Sequence, residues 1–285
     1  MKITKLLSVI FVSLFMQSCA KTLIDGDDFL LTDGGKSLEI YIPRGVSLKE
    51  RTKDINIYGV EKMTITGYIG GYSLAFLRVI SGGSDPNFLG GCNLSVLDLK
   101  STIIYSSDEI YYNRENIPLK VTVLSGIPAY AFENCYALSS IVLPDMYSPY
   151  NIDEGAFSGC LLLRYVNWGR HVRKIKKEAF LNCSTLALGE SLILPEGVIS
   201  IEDRAFKNTS PSNLDLPSSV ETIGQEAFSP IIGNVIIRAV NPPMINSNSF
   251  VFAEKSKRIL FVPSESIEKY KTEPYVSIFK EINAL

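Results

Sequence analysis

Histidine occurs once in the 285 residues, and neither sign of charge dominates: 28 basic residues stand against 30 acidic ones, a formal net charge of −2. One histidine excludes a histidine-rich metal site. The charge balance removes the basic footprint of a nucleic-acid binder, so no nucleic-acid partner is expected. Charged residues make up 20% of the chain, a little under the usual quarter, while 46% of residues are hydrophobic, which together argue against global disorder. Cysteines number five and none stands in a Cys-x-x-Cys pair, so zinc and thiol catalysis lack their usual ligands. No glycine-rich phosphate loop follows a strand pattern. No cofactor, metal or catalytic role is therefore expected. A chain of this length buries a sizeable core without a disulfide or metal staple.

Long apolar runs are also missing. Leu6–Met16, broken only by Ser8 and Ser13, follows Lys2 and Lys5. As a helix it would rise only about 16 Å, too short for a bilayer core of about 30 Å. This is the layout of a secretory signal peptide, expected over residues 1–18. Its end, Gln17-Ser18-Cys19-Ala20, resembles a bacterial lipobox, although Met16 stands where leucine is commonest. The resemblance implies lipidation of Cys19, and several acyl chains at about 0.8 kcal/mol per buried CH₂ would anchor the chain firmly. Ala20 after the cysteine favours, by analogy, the outer membrane. Residues 19–35 are small, acidic and glycine-containing, and read as a flexible tether.

The rest of the chain repeats itself. Ala-Phe recurs at Phe132, Phe157, Phe180, Phe206 and Phe228, and Ser249-Phe250 is a softer copy; successive spacings are 25, 23, 26, 22 and 22 residues. An isoleucine stands five residues before each: Ile127, Ile152, Ile175, Ile201, Ile223 and Ile245. Between these markers lie short alternating runs such as Leu138/Ile141/Leu143 and Leu163/Val166/Trp168, each reading as a strand with one face inward. Pro144, Pro195, Pro217 and Pro263 end four of them, because proline has no N–H for a ladder. The insertion Ala187-Leu188-Gly189 accounts for the 26-residue spacing. Periods of this size fall in the leucine-rich-repeat range of about 20–29 residues. One repeat cannot bury its apolar face alone, but stacked repeats can. The phenylalanines would then form a dry column, each ring worth roughly 4–6 kcal/mol of burial as an upper bound.

The ends are less regular. Val60/Met63/Ile65 and Leu94/Leu97/Leu99 fit the strand template, Ser73–Ile80 reads as a short helix, and Ser81–Gly91 and Ser106–Pro118 as loops. Residues 36–124 are thus expected to be a degenerate N-terminal repeat and cap region, 125–263 the repeats and 264–285 a C-terminal cap. Ser264 would N-cap a helix reaching Lys271, with Val276, Ile278, Phe279 and Ile282 closing the stack.

The run from Ile127 to Pro144, Ile-Pro-x-x-Ala-Phe-x-Asn-Cys-x-x-Leu-x-x-Ile-x-Leu-Pro, resembles the BspA-type bacterial leucine-rich repeat, over roughly Ile40 to Leu285. That resemblance implies an α/β-class, β-dominated solenoid with a parallel sheet on one face and short helices or turns on the other. It also implies a secreted or lipid-anchored surface protein engaged in adhesion and protein binding, with no catalytic residues to carry over.

Several candidate sites remain. Cys135, Cys160 and Cys183 each lie three residues after a repeat phenylalanine, where the Phe206 copy has Thr209. They read as small residues filling a buried slot, with a disulfide between neighbouring coils geometrically open. The basic run Arg170, His171, Arg173, Lys174, Lys176, Lys177 reads as a solvated convex turn rather than an anion-binding patch. Asp153-Glu154 and Glu202-Asp203 occupy the repeat slot that Lys176-Lys177 also fills, as ordinary turn positions do. The positive expectation is the outward face of the strands: Ser140, Val142, Tyr165, Asn167, Ile193, Asp215, Ile236 and Phe261, flanked by Ser191, Asn213, Asn234 and Ile259. Solenoids recognise partners through such faces. A host or bacterial surface protein is the expected partner; the alternative is a glycan or a nutrient-uptake role using Tyr111 and Tyr112.

Overall fold

A computed structural model describes residues 29–83, 93–122, 126–209, 211–231, 233–246, 248–252 and 258–285. Cys19 and the expected signal peptide lie outside them. In chain order the first part contains β1 (Phe29–Thr32), β2 (Ser37–Ile42), α1 (Leu48–Arg51), β3 (Lys62–Ile69), α2 (Gly71–Ile80), β4 (Val96–Ile104), β5 (Ile110–Arg114) and β6 (Ile117–Lys120). The regular coils follow with β7 (Gly126–Ile127), β8 (Ser140–Val142), β9 (Tyr150–Ile152), β10 (Tyr165–Asn167), β11 (Val172–Ile175) and β12 (Ser191–Ile193). They continue through β13 (Ser200–Ile201), β14 (Asn213–Leu216), β15 (Thr222–Ile223), β16 (Phe228–Ile231), β17 (Val235–Ile237), β18 (Met244–Ile245), β19 (Phe250–Phe252) and β20 (Ile259–Val262). The chain ends in α3 (Ile267–Lys271) and β21 (Glu281–Ala284).

The architecture is a leucine-rich-repeat solenoid. The Leu-x-Leu strands form one broad face in two sheets, ordered β1-β2-β3-β4-β8-β10 and β12-β14-β17-β20-β21. All neighbours are parallel except β1 with β2. The isoleucine markers build a second parallel sheet, ordered β18-β15-β13-β11-β9-β7, with Ile152 opposite Ile127 and Ile175, and Ile223 opposite Ile201 and Ile245. The second face of each regular coil is therefore a short strand followed by turns; the helices lie outside the regular coils.

Between the two sheets runs the phenylalanine column. Phe132, Phe157, Phe180, Phe206 and Phe228 stack with centroids 5.1–5.3 Å apart and interplanar angles of 10° or less, and each is essentially fully buried. Phe250 continues the stack at 5.9 Å, and Phe279 closes it edge-on at 6.0 Å. Ring spacing close to the strand spacing of about 4.8 Å is what a helical coil demands: equivalent atoms of consecutive turns must recur at one rise.

Each Ala-Phe turn requires a residue with positive φ two places before the phenylalanine: Tyr130, Gly155, Glu178, Arg204 and Glu226 occupy it. A second positive-φ column, Asn134, Gly159, Asn182 and Asn208, follows two places after the phenylalanine. Asparagine and glycine suit that conformation because a short amide or no side chain relieves the left-handed clash.

Four expectations change. Phe29–Thr32, placed in the tether, pairs as β1 with β2 because its apolar residues pack against the N-terminal coil. The expected loop 106–118 contains most of the antiparallel hairpin β5–β6. Its Tyr111 is buried and donates to the Ala129 carbonyl at 2.5 Å, while Tyr112 lies 3.6 Å beneath the Arg78 guanidinium. Arg78 in turn donates to the Tyr130 and Ala131 carbonyls at 2.7 and 3.3 Å, tying α2 to the first regular coil. Ser264 does not cap α3: a 3-10 turn precedes the helix, and Ser266 rather than Ser264 reaches back, to the Val240 carbonyl at 2.8 Å. Asp215 is not an open face residue, as described below.

Candidate binding face

Strand alternation places the candidate side chains on one side of the broad sheets. Tyr165 lies opposite Ser140 and Asn167 opposite Val142, while Ile193 pairs with Asp215, Asp215 with Ile236 and Ile236 with Phe261. The inward alternates Ile141, Leu192, Leu214, Val235 and Leu260 are buried, which fixes the register: a one-residue slip would invert every side chain. Exposure is uneven. Ile193 is 59% exposed and Tyr165 49%, both large for apolar or aromatic groups on a sheet, and Asn167 is exposed. Ser140, Val142, Ile236 and Phe261 are half-buried.

Asp215 is buried. Arg238 grips it with two bonds, Nε to Oδ1 at 2.8 Å and Nη2 to Oδ2 at 2.7 Å. The bonds to Asp215 push the arginine pKa up further. The carboxylate is thus committed to an intramolecular pair, and the exposed charged group at this rung is Arg238. The neighbouring asparagines also serve the backbone: Asn213 Oδ1 accepts from Asn234 N, and Asn234 Oδ1 from Ile259 N, both at 3.0 Å. Arginine at 238 carried no sequence signal, since it follows the last strand residue of its coil.

At the middle of the face lies a cleft of about 670 Å³, lined by residues of β8, β10 and β12 and by Arg164, Trp168, Leu186, Ala187, Glu190 and Leu194. Sequence reading missed Trp168, Arg164 and Glu190 as face residues; the signal available was the 26-residue spacing. Trp168 stands edge-on to Phe180 at 5.6 Å and to Phe206 at 6.5 Å. Glu190 reaches Arg164 at 3.4 Å and accepts from the Tyr165 hydroxyl at 3.3 Å.

The opposite face carries a series of ion pairs between coils. Lys176 pairs with Asp153 at 2.6 Å, Lys177 with Glu154 at 3.3 Å, Arg204 with Glu178 at 2.6 Å and Lys207 with Glu226 at 2.9 Å, each across neighbouring coils. Arg170 forks onto Asp145. Arg170, Lys176 and Lys177 of the basic run are thereby matched with acid from the preceding coil, while Arg173 donates to the Gly197 carbonyl at 3.0 Å.

Cys135, Cys160 and Cys183 are fully buried thiols. Cys160 donates to the Phe132 carbonyl at 3.0 Å and Cys183 to the Phe157 carbonyl at 3.1 Å. Burial pushes the thiol pKa of both up, which keeps them protonated and unreactive. Thr209 occupies the same slot, buried and bonded to the Phe206 carbonyl at 2.8 Å. Among the described residues no cluster of three or more metal-ligating side chains occurs, and no helix is long and apolar enough to cross a membrane.

Residues 87–187 and 188–275 match the family model of the BspA type leucine rich repeat region, in six copies. No curated protein matches the chain. Among solved structures, it is similar to a leucine-rich repeat protein from Bacteroides ovatus at 17% identity, covering 96% of this chain and 76% of that one with a TM-score of 0.41. It is also similar to the leucine-rich repeat protein of T. pallidum at 14% identity, covering 90% of this chain and 97% of that one with a TM-score of 0.34.

Proposed function

Because the chain belongs to the BspA-type leucine-rich repeat family, whose repeats mark an interaction module, we propose that it is a non-catalytic adhesion protein of the bacterial cell envelope. In this reading a lipid on Cys19 holds it at the outer membrane, and the broad sheet face binds a protein on a host or bacterial surface. One observation carries the reading: Tyr165, Asn167 and Ile193 stand exposed around a cleft, while many charges of the opposite face are paired with one another. Aromatic and aliphatic groups gathered on one exposed face are the mark of an interaction surface. The anchor reading is supported by Lys2, Lys5, the run Leu6–Met16 and Gln17-Ser18-Cys19-Ala20. The residues between Cys19 and β1 would span at most about 35 Å, so the repeats would sit close above the membrane. The glycan alternative loses its tyrosines, since Tyr111 is buried and Tyr112 lies under Arg78.

The test compares cells carrying wild type and Cys19→Ala. Membrane fractionation should retain only the wild type, and protease shaving of intact cells should remove the repeats. Capture of surface proteins by the wild type should drop for Tyr165→Ala/Asn167→Asp and for Ile236→Asp/Phe261→Ala, and stay unchanged for Lys176→Ala/Lys177→Ala. Equal capture by all three variants would overturn the face; membrane retention of Cys19→Ala would overturn the anchor.

A further inference from the structure

Consecutive coils are laddered along the broad face except at one place among the described residues: β10 ends one sheet and β12 ends the other. The cause is visible in the backbone. In the regular pattern the Ser139 carbonyl receives both Arg164 N, at 2.9 Å, and Tyr165 N, at 3.2 Å. One coil later the Arg164 carbonyl is taken instead by Ala187 N at 3.2 Å, the first residue of the three-residue insertion. Leu188 and Gly189 then intervene before Glu190, so β12 starts displaced from β10. Most of their Cα atoms stand more than 8 Å apart. Laddered strands stand about 4.8 Å apart, so two ladder steps measure about 9.6 Å. An added strand would need two such steps across the cleft that occupies this break.

Both walls offer main-chain partners. Tyr165 N and Asn167 O bond toward β8, so by alternation the N–H and C=O of Val166 face the gap. Glu190 O and Leu194 N bond toward β14, at 2.7 and 3.0 Å, which turns the backbone groups of Ser191 and Ile193 into the gap from the other side. Unpaired edges of this kind are templates for an added strand. The floor is apolar, made by Trp168, Leu186, Leu192 and Leu194. Charge lies at one end only, in Arg164 and Glu190, whose separation of 3.4 Å is looser than the 2.6 Å of Arg204–Glu178 or the 2.7 Å of Arg238–Asp215.

We propose that this gap is a binding site for an extended peptide segment of a partner protein, which adds as a strand between β10 and β12. The proposal rests on the reading of the sheet face as the recognition surface and names the form its partner takes. The complementary segment is uncharged along its middle, points alternate apolar side chains at Trp168, and carries a carboxylate at the end that meets Arg164. A charge placed over the apolar floor would be desolvated without a partner.

Trp168 is the only tryptophan of the chain and lines the cleft, so it reports occupancy directly. A phage library of random twelve-residue peptides is panned on the full chain in detergent, and the recovered peptides are synthesised and titrated against it. The expected result is a saturable shift of Trp168 emission. N-methylation of alternate peptide nitrogens, which removes about two backbone hydrogen bonds, should weaken binding about tenfold. Deleting Ala187–Gly189, which restores a 23-residue spacing, should abolish the response. If that deletion does not fold, Ser191→Pro removes one donor facing the gap while leaving the backbone bonds of Glu190 and Leu194 to β14 in place, and should weaken it. Binding that leaves Trp168 emission unmoved, or that is indifferent to N-methylation, overturns the proposal. So does preferential capture of a synthetic peptide spanning Ala20 to Asp28, which would make the gap self-filling. Should no peptide be recovered while Ile236→Asp/Phe261→Ala still impairs capture of surface proteins, the added strand falls and the recognition face stands.

Discussion

The rings of Phe157 and Phe180 stack 5.1 Å apart, yet β10 and β12, the strands that follow them in the same two coils, do not pair. The core therefore keeps its rise where the sheet loses it. Seven residues separate Phe157 from β10 and ten separate Phe180 from β12, the difference being Ala187-Leu188-Gly189, inserted after the ring and the buried Leu186 are already placed. Trp168, the largest side chain available, stands at the break against Phe180 and Phe206.

Phe180→Ala should cost about 3–5 kcal/mol, because it removes a fully buried ring with stacked neighbours on both sides and Trp168 on its edge. Urea unfolding measures this. A loss near zero would mean that the column is not the core.

Gly159→Ala should destabilise by about 1–2 kcal/mol, the cost of a Cβ in the left-handed region. The glycine has φ +75°, and an added Cβ would meet the Asn134 side chain of the coil below. Gly189→Ala also has positive φ but open space around it, so it should cost less. Thermal melts of the two variants, compared directly, check the order.

Asp215→Ala should lower stability by about 1 kcal/mol, a modest figure because Arg238 is half-exposed and water compensates part of the loss. Partner capture should change little, since the carboxylate is already occupied. A large capture defect with unchanged stability would return Asp215 to the binding face.

Stability should fall at alkaline pH. Burial pushes up the pKa of Cys160 and Cys183 and of Tyr111, Tyr150, Tyr270 and Tyr275, so the folded chain keeps these groups neutral. In the unfolded chain thiols ionise near pH 8.5 and phenols near pH 10, both approximate values. Below about pH 8 both states are protonated and this contribution is fully present; it is lost as pH rises through about 8.5–11 while only the unfolded state ionises. Calorimetry across that window should show a falling melting temperature, and Cys160→Thr should lessen the drop near pH 9. A flat profile to pH 11 would contradict the burial of these groups.

The three buried thiols should resist iodoacetamide at pH 8 in native protein and react in urea, followed peptide by peptide in a mass spectrometer. Rapid native labelling of Cys183 would contradict its place beneath the Phe157 carbonyl.

Much of the fold was readable because a repeat imposes the same local demand again and again. Ala-Phe, the preceding isoleucine and Leu-x-Leu recur since each coil must fill the same dry volume, so periodicity identified the phenylalanine column, the buried cysteine slot and the alternation of the face. The hairpin β5–β6 was not readable: Tyr111 and Tyr112 look exposed in a polar stretch, and only Arg78 and Ala129, distant in sequence, explain their burial. Nor was Asp215, whose partner Arg238 arrives from the next coil.

Spacing alone determined the solenoid, because residues recurring at one interval in a coil must superpose along its axis. It also marked where an interval was broken. What three extra residues do there was decided in three dimensions: the core side holds the rise through close-packed rings, so the extra residues are accommodated on the sheet side, where β10 and β12 part and leave backbone groups facing the cleft.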